Sequence, residues 1–381
     1  MERTQTKKIK IAGAGPSGLT AAIGLAKAGY NVEVFDAREA VGARFIGDFQ
    51  VLENGSGATD FLEMLNKIGI ATNFFVSGVR EATLFDHRLV SKTVRSETPF
   101  CYLIKRGTSH KKDDKISLDQ GLLDQALAAD VMVYYGQRVT AHDVDIVATG
   151  PTRADGLAKE MCFLTDHPNI VWVLFDKTIS PGGYAYLFVH EGEATLGCAI
   201  TRDLPQINRY FDAALARFLE ITPFTIQSKK TGYSFMDFSL KQSAIHDQKL
   251  YVGEAGGFQD YLFGLGLRYA IMTGHFAAQS FISSENYDRL WKEAFGNAQE
   301  VSLVNRALYE SGGNAGLSHF VRQAEGRDFK AYLAKWHAPS FWKSALFPIV
   351  KQLWRKETSH TCTHPFLEHW CRDRAARRGT K

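Results

Sequence analysis

The sequence predicts an α/β protein: a doubly wound, Rossmann-type parallel sheet with an inserted antiparallel β-sheet domain and a helical C-terminal region. Three observations predict it. A glycine-rich strand–turn–helix–strand unit opens the chain at residues 8–36. β-rich runs punctuated by Gly and Pro fill residues 169–200, where strand–helix alternation stops. A strand running into glycines and then a helix returns at residues 249–282. With 381 residues, 45% of them hydrophobic, the chain can bury a core for two intimately joined domains.

In the first unit, Ile9, Ile11 and Ala12 end in Gly13-Ala14-Gly15-Pro16-Ser17-Gly18. Ala22, Leu25 and Gly29 follow at helical spacing, and a second run from Val32 to Phe35 ends in Asp36. This pattern predicts a bound dinucleotide. Gly13 permits a tight turn, Gly15 lets backbone approach a pyrophosphate, and Gly18 brings helix against strand. The helix start, where Pro16 and Ser17 stand, offers a positive dipole end and the free N–H groups that follow Pro16. Asp36 stands where a carboxylate would accept from ribose hydroxyls, with Ala37 and Arg38 beside it.

Further on, Gly42-Ala43-Arg44 stands where an Arg often nears the pyrophosphate from the far side. Residues 59–65 read as a short amphipathic helix, 106–117 as a polar loop, 118–129 as a helix and 131–135 as a strand. Residues 145–150 form an apolar strand ending in Ala-Thr-Gly, where Gly150 leaves room for a cofactor, though strands also end so simply to turn. In the late unit, Gly253-Glu254-Ala255-Gly256-Gly257 follows a strand, and Gly264-Leu265-Gly266 opens a helix at Leu267. Gly266, Ala270, Gly274 and Ala277 give that helix a bare stripe. Residues 311–316 read as a loop between terminal helices, and there is no internal repeat.

Composition narrows the class. Five scattered cysteines form no disulfide framework, which fits a reducing cytosol. The polar N-terminus leads straight into a strand, so no signal peptide is expected, and no apolar run is long enough to cross a bilayer. The chain is expected to be cytoplasmic and, at most, peripheral to a membrane, with no nucleic-acid partner. From Lys330 on, eleven Lys/Arg stand against three acids, a net +8 in a chain of +4, which leaves −4 for the rest. That region also holds four of the six tryptophans. Its segment 341–356 combines Trp and Phe with lysines, which suits an anionic membrane surface, with Pro348 as a kink; packing onto the body is the plainer reading. Cys362, His364, His369 and Cys371 lack a familiar zinc spacing, and no metal site is expected.

Three glycine-bearing elements in this order resemble the p-hydroxybenzoate-hydroxylase-type FAD oxidoreductases: the N-terminal fingerprint, the Ala-Thr-Gly strand end, and the late strand-Gly-acid-Ala-Gly with Gly-x-Gly and a helix. Within them the likeness is closest to the geranylgeranyl reductase branch, whose signature is Pro-x-x-Tyr-x-Trp-x-Phe-Pro. Pro181, Tyr184 and Phe188 match it, while Tyr186 and Val189 replace its Trp and second Pro. Arg106-Gly107 and Ser117-Leu118-Asp119 also resemble that branch, and the likeness covers most of residues 8–285. Two further departures are Glu254, where the family usually has Asp, and Leu265, where it often has an acid.

The resemblance implies that Gly13, Gly15, Gly18 and Asp36 hold the ADP half of FAD, with Arg44 by the pyrophosphate. Gly253 and Glu254 would meet the pyrophosphate and ribityl chain. Gly264, Leu265, Gly266 and Leu267 would lie along the flavin. The implied FAD-binding domain comprises residues 1–75, 106–160 and 243–285, and the substrate domain 76–105 and 161–242. Residues 286–381 form the helical region. No second Gly-x-Gly-x-x-Gly is present, so the external electron donor, NAD(P)H or a redox protein, is expected to dock transiently.

Tyr184, Tyr186 and Phe188 share one strand face and are candidates to line an apolar substrate pocket, with one phenol as proton donor, against the plainer reading of core. His190 reads as a surface strand-end residue and Cys198 as buried and inert. The favoured reaction is reduction of carbon–carbon double bonds in an isoprenoid or other apolar substrate. The alternatives are a flavin monooxygenase for an aromatic or polyketide-like substrate and a non-catalytic prenyl-binding chaperone on the same fold.

Overall fold

The Gly13–Gly18 run breaks a strand and starts a helix where the sequence predicts. The computed structural model describes residues 7–357 except 58, 110–114, 152–153, 239 and 241. The Cys/His cluster at residues 362–371 lies outside the described residues.

The chain runs β1 (Lys8–Ala12), α1 (Pro16–Lys27), β2 (Asn31–Phe35), β3 (Phe49–Glu53), α2 (Phe61–Lys67), β4 (Val76–Val79), β5 (Glu81–Asp86), β6 (Ser91–Arg95) and β7 (Cys101–Lys105). Then come α3 (Leu118–Ala128), β8 (Met132–Tyr134), β9 (Ile146–Val147), β10 (Gly156–Leu164), β11 (Ile170–Phe175), β12 (Tyr184–His190) and β13 (Glu193–Ile200). After α4 (Ile207–Ile221) follow β14 (Gln227–Met236), β15 (Ile245–His246), β16 (Lys249–Tyr251) and α5 (Leu267–Ser283). The C-terminal region is α6 (Tyr287–Trp291), α7 (Asn297–Ser311), α8 (Gly313–Ala324), α9 (Phe329–His337) and α10 (Phe341–Glu357).

The nucleotide-type sheet has the order β15-β16-β9-β1-β2-β8, parallel except for β15. Its central strands bury Ile9, Ile11, Val32 and Val34 almost completely, because helices cover the sheet. The larger sheet has the order β14-β10-β13-β12-β11-β5-β6 and is antiparallel except where β11 runs parallel to β5. Along β12 the alternation sorts the side chains: Ala185, Leu187 and Val189 join the core under α4, while Tyr186 and Phe188 join the core on the opposite face.

The structure moves several expected boundaries. The larger sheet starts at Gly156, so the expected border at 160/161 falls inside β10, whose Leu157, Met161 and Phe163 already pack in the core that holds Phe211 and Phe218 of α4. Within 76–105, β4 and β7 do not join that sheet; β7 pairs with β3 on one side and β4 on the other, in a separate three-stranded sheet. Periodicity marks strands but not partners, and hydrogen bonding between segments as far apart as Phe49 and Lys105 chose β3 for β7. The first short helix begins at Phe61, after Asp60, whose carboxylate accepts from the Leu62 N–H at 2.9 Å. The expected loop at 311–316 shrinks to Gly312, because Gly313, at φ +58°, turns the chain directly into α8. Helix α10 runs through Pro348.

Candidate functional site

Local backbone chemistry builds one end of the site. Gly13, at φ +107°, donates its N–H to the Phe35 carbonyl at 2.7 Å, and a Cβ there would collide with the Ala148 carbonyl. A Cβ on Gly18 would strike the Gly13 carbonyl, so α1 lies directly on the turn. Gly15 is different: nothing lies within 4 Å of where its Cβ would stand. No side chain caps the start of α1, so its first N–H groups, which begin at Ser17 because Pro16 has none, are left for a ligand. Gly253, at φ +56°, abuts Ser17, and a Cβ on Gly274 of α5 would strike the Ser17 carbonyl. The early and late glycine elements thus meet, as the sequence predicts.

Between them and the larger sheet lies one continuous cavity of about 1580 Å³. That exceeds the roughly 300–1,000 Å³ of a pocket for one small ligand. Gly13, Gly15, Pro16, Ser17, Asp36, Ala37 and Arg38 line it, as do Arg44, Gly150 and Glu254. Gly264, Leu265, Gly266, Leu267, Tyr184, Tyr186 and Phe188 line it as well. Two predicted residues do not: Gly18 and Gly253 act behind the wall, by letting α1 and the late turn close up.

Asp36 uses its carboxylate on the turn as well as at the rim. One oxygen accepts from the Ala14 N–H at 2.8 Å and the other from the Arg38 N–H at 2.9 Å. Each oxygen keeps a second lone-pair site for a ribose hydroxyl. Arg44 lies 3.7 Å from Glu254, donates to the Phe235 carbonyl at 3.4 Å, and keeps a buried Nε–H with no protein partner. Burial pushes the Glu254 carboxyl up, and Arg44 pulls it the other way. At the far end Gln259 donates to the Gly264 carbonyl at 2.8 Å, while its Oε1 is buried without a partner. An open helix N-terminus, an unspent guanidinium donor and an unspent amide acceptor on one wall fit a dinucleotide with a hydrogen-bonding ring. Gly266 precedes α5, so that helix start also faces the cavity.

The other end is apolar. Tyr186 stacks on Phe188 at 4.8 Å between centroids, and Tyr184 donates to the Phe263 carbonyl at 2.7 Å. Leu84 and Val173 extend the sheet side, and Phe320, Phe329, Leu333 and His337 close it from α8 and α9. Sequence reasoning missed this closure, since nothing in the helical region marked a cavity wall. It also missed Glu160, a buried carboxyl in β10 that lines the cavity and accepts from the Tyr186 hydroxyl at 3.3 Å. Burial, with Asp48 nearby, raises its pKa to about 8. The available signal was one acid among the apolar residues of GLAKEMCFL, on the alternate face with Ala158 and Cys162.

His190 ends β12 and lies off the cavity, as expected, but it is half-buried rather than on the surface, its ring edge-on to Phe75 at 5.0 Å. Cys198 is buried as expected, and burial raises its thiol to about 12.

Glu160 gives a pH prediction. Its folded pKa of about 8 lies above the ordinary 4.5, so between these values the folded protein holds a proton the unfolded chain has lost. Stability is therefore expected to fall as pH rises from about 4.5 to about 8, by up to about 1.4 kcal/mol per pH unit. Urea unfolding of Glu160→Gln should show a flatter dependence than the parent; equal slopes would assign the effect elsewhere.

Fold and cavity together define the class: an α/β protein with a Rossmann-type sheet that shares a cavity with a second, mostly antiparallel sheet. A family model described as an NAD(P)-binding Rossmann-like domain matches residues 11–47. No curated protein matches the sequence. Among solved structures, the chain is similar to a geranylgeranyl bacteriochlorophyll reductase-like protein from Thermoplasma acidophilum, at 18% identity and a TM-score of 0.67 over 92% of this chain and 99% of that one. It is also similar to the flavin-dependent brominase Bmp2, at 14% identity and 0.62 over 92% and 100%. A 2-methyl-3-hydroxypyridine-5-carboxylic acid oxygenase matches at 14% identity and 0.51 over 87% and 96%. At these identities the likeness is one of fold, the fold of flavin-dependent reductases, halogenases and oxygenases.

Proposed function

We propose that this chain is an FAD-dependent oxidoreductase that reduces carbon–carbon double bonds of an isoprenoid or other apolar substrate. The observation that carries the reading is the single cavity, with dinucleotide-binding turns at one end and an apolar lobe at the other. FAD, when bound, supplies the two-electron redox chemistry. The α1 N-terminus and the Arg44 Nε–H hold its pyrophosphate, Asp36 its ribose, and the 264–267 turn with Gln259 its ring. Tyr184, Tyr186, Phe188 and Phe320 orient the substrate and exclude water. Glu160 keeps a proton at neutral pH beside the Tyr186 hydroxyl, so the pair can deliver one to a substrate carbon. The electron donor, NAD(P)H or a redox protein, docks from outside.

A second reading, monooxygenation of an aromatic substrate, draws support from the stacked pair Tyr186 and Phe188, which suits a planar ring. Product analysis under labelled dioxygen separates the two: label in the product selects oxygenation, and anaerobic turnover of a polyprenyl compound selects reduction. The first test is the visible spectrum of the purified protein. A yellow preparation that bleaches with dithionite is expected. A colourless one that FAD cannot restore would reject the enzyme in favour of a prenyl-binding chaperone.

A further inference from the structure

Helix α10 turns an apolar side outward. Phe341 is 91% exposed, Trp342 46%, Leu346 36%, and Ile349 and Leu353 58% each. The last four stand at i, i+4, i+7 and i+11, which is one stripe of a helix. The other exposed positions up to 353 are Ser344, Ala345, Pro348 and Gln352, so none of them carries a charge. The two lysines of this stretch serve elsewhere. Lys343 is buried and donates to the carbonyls of Trp336 and of Ala338, the latter at 3.2 Å. Lys351 is half-buried, with its ammonium 5.4 Å from the Phe347 ring centre. On the inner side, Phe347 and Val350 pack against the core around Leu303 and Tyr261. A surface helix ordinarily shows water its charges and hides its apolar stripe. A contiguous exposed stripe of this kind marks a contact surface.

We propose that α10 seats this stripe in the headgroup region of an anionic lipid bilayer. Among the described residues no helix is long and apolar enough to cross a membrane, so the contact lies in the plane of the surface. Charge selects the occupant. The chain from Lys330 carries a net +8 while the remainder carries −4, which draws this region toward anionic lipid. The same charge opposes a second copy, since two such regions would repel each other on closing. The location adds a consequence for an apolar ligand. Lys343 ties the start of α10 to the end of α9, and Leu333 and His337 of α9 line the cavity. The stripe thus begins at Trp342, five residues beyond the wall residue His337, and a water-insoluble substrate can pass from lipid to protein over a short path.

The test uses the full-length protein as purified and reads vesicle binding without turnover, so its failure leaves the oxidoreductase reading untouched. Co-sedimentation is measured with phosphatidylcholine vesicles, with and without phosphatidylserine, for the parent and for Ile349→Glu with Leu353→Glu. Both positions are exposed, so an unchanged thermal midpoint is expected of the variant. Phosphatidylserine should raise parent binding at least tenfold, and the variant should lose at least tenfold on the same vesicles. Equal binding to both vesicle types, or equal binding by variant and parent, overturns the proposal. So does a lipid-free dimer that the variant converts to monomer, which assigns the stripe to a second copy.

Discussion

Gly15→Asp is expected to leave the fold intact and to weaken flavin binding on the order of 100-fold or more. Gly15 precedes α1 with extended backbone, at φ −80° and ψ 178°, which any residue adopts. Nothing stands within 4 Å of its missing Cβ, and Asp is a favourable residue at a helix start. The loss comes from charge and place. The new carboxylate sits before the free N–H groups of α1, where the proposed pyrophosphate needs both space and positive potential. Like charges brought together in such a site cost several kcal/mol, of which about 2.7 kcal/mol already gives the stated factor. Titration with FAD, followed by absorbance, measures it, and Gly15→Ala serves as the mild control. Undiminished binding by the Asp variant would move the pyrophosphate away from α1 and undo the cofactor assignment.

Asp119→Ala is expected to destabilise the protein by about 3–5 kcal/mol. Arg106 and Asp119 are 6% and 1% exposed, and they meet in a two-pronged pair at 2.8 and 2.9 Å. Asp119 also accepts from the Gly107 N–H at 3.0 Å, and the guanidinium lies 4.0 Å from the centre of the Phe45 ring. Removing the carboxylate leaves a buried cation and an unsatisfied backbone donor. Urea unfolding reads the loss as a lower midpoint at constant slope. Arg106→Met combined with Asp119→Leu removes both charges and should recover much of it. A double variant as unstable as the single one would show that lost packing, rather than a stranded charge, is responsible. Because the pair lines the cavity beside Phe45, the single variant should also loosen the turn that carries Arg44.

The nucleotide end was legible because its chemistry is local. Gly13, Gly15 and Gly18 are specified by the turn they make, and Asp36 by its place at a strand end. Six residues in order suffice to predict a strand, a turn and a helix start. The apolar lobe was half legible: alternation put Tyr184, Tyr186 and Phe188 on one face, but not what faces them. Glu160 was overlooked because a lone acid in a strand looks the same whether it meets water or a buried tyrosine. Arg106 and Asp119 were noticed as fragments, yet nothing in their thirteen-residue separation announces a buried ion pair.

The sequence by itself determined where the backbone turns and which faces alternate, because those depend on sterics and periodicity within a few residues. Only the tertiary structure decided which strands pair, as when β7 joins β3 rather than its neighbour β6. It alone brought α8 and α9 over the cavity and left the apolar side of α10 uncovered. Those outcomes follow from burying surface between segments far apart in the chain. Such burial is a property of the assembled shape, which no local window contains.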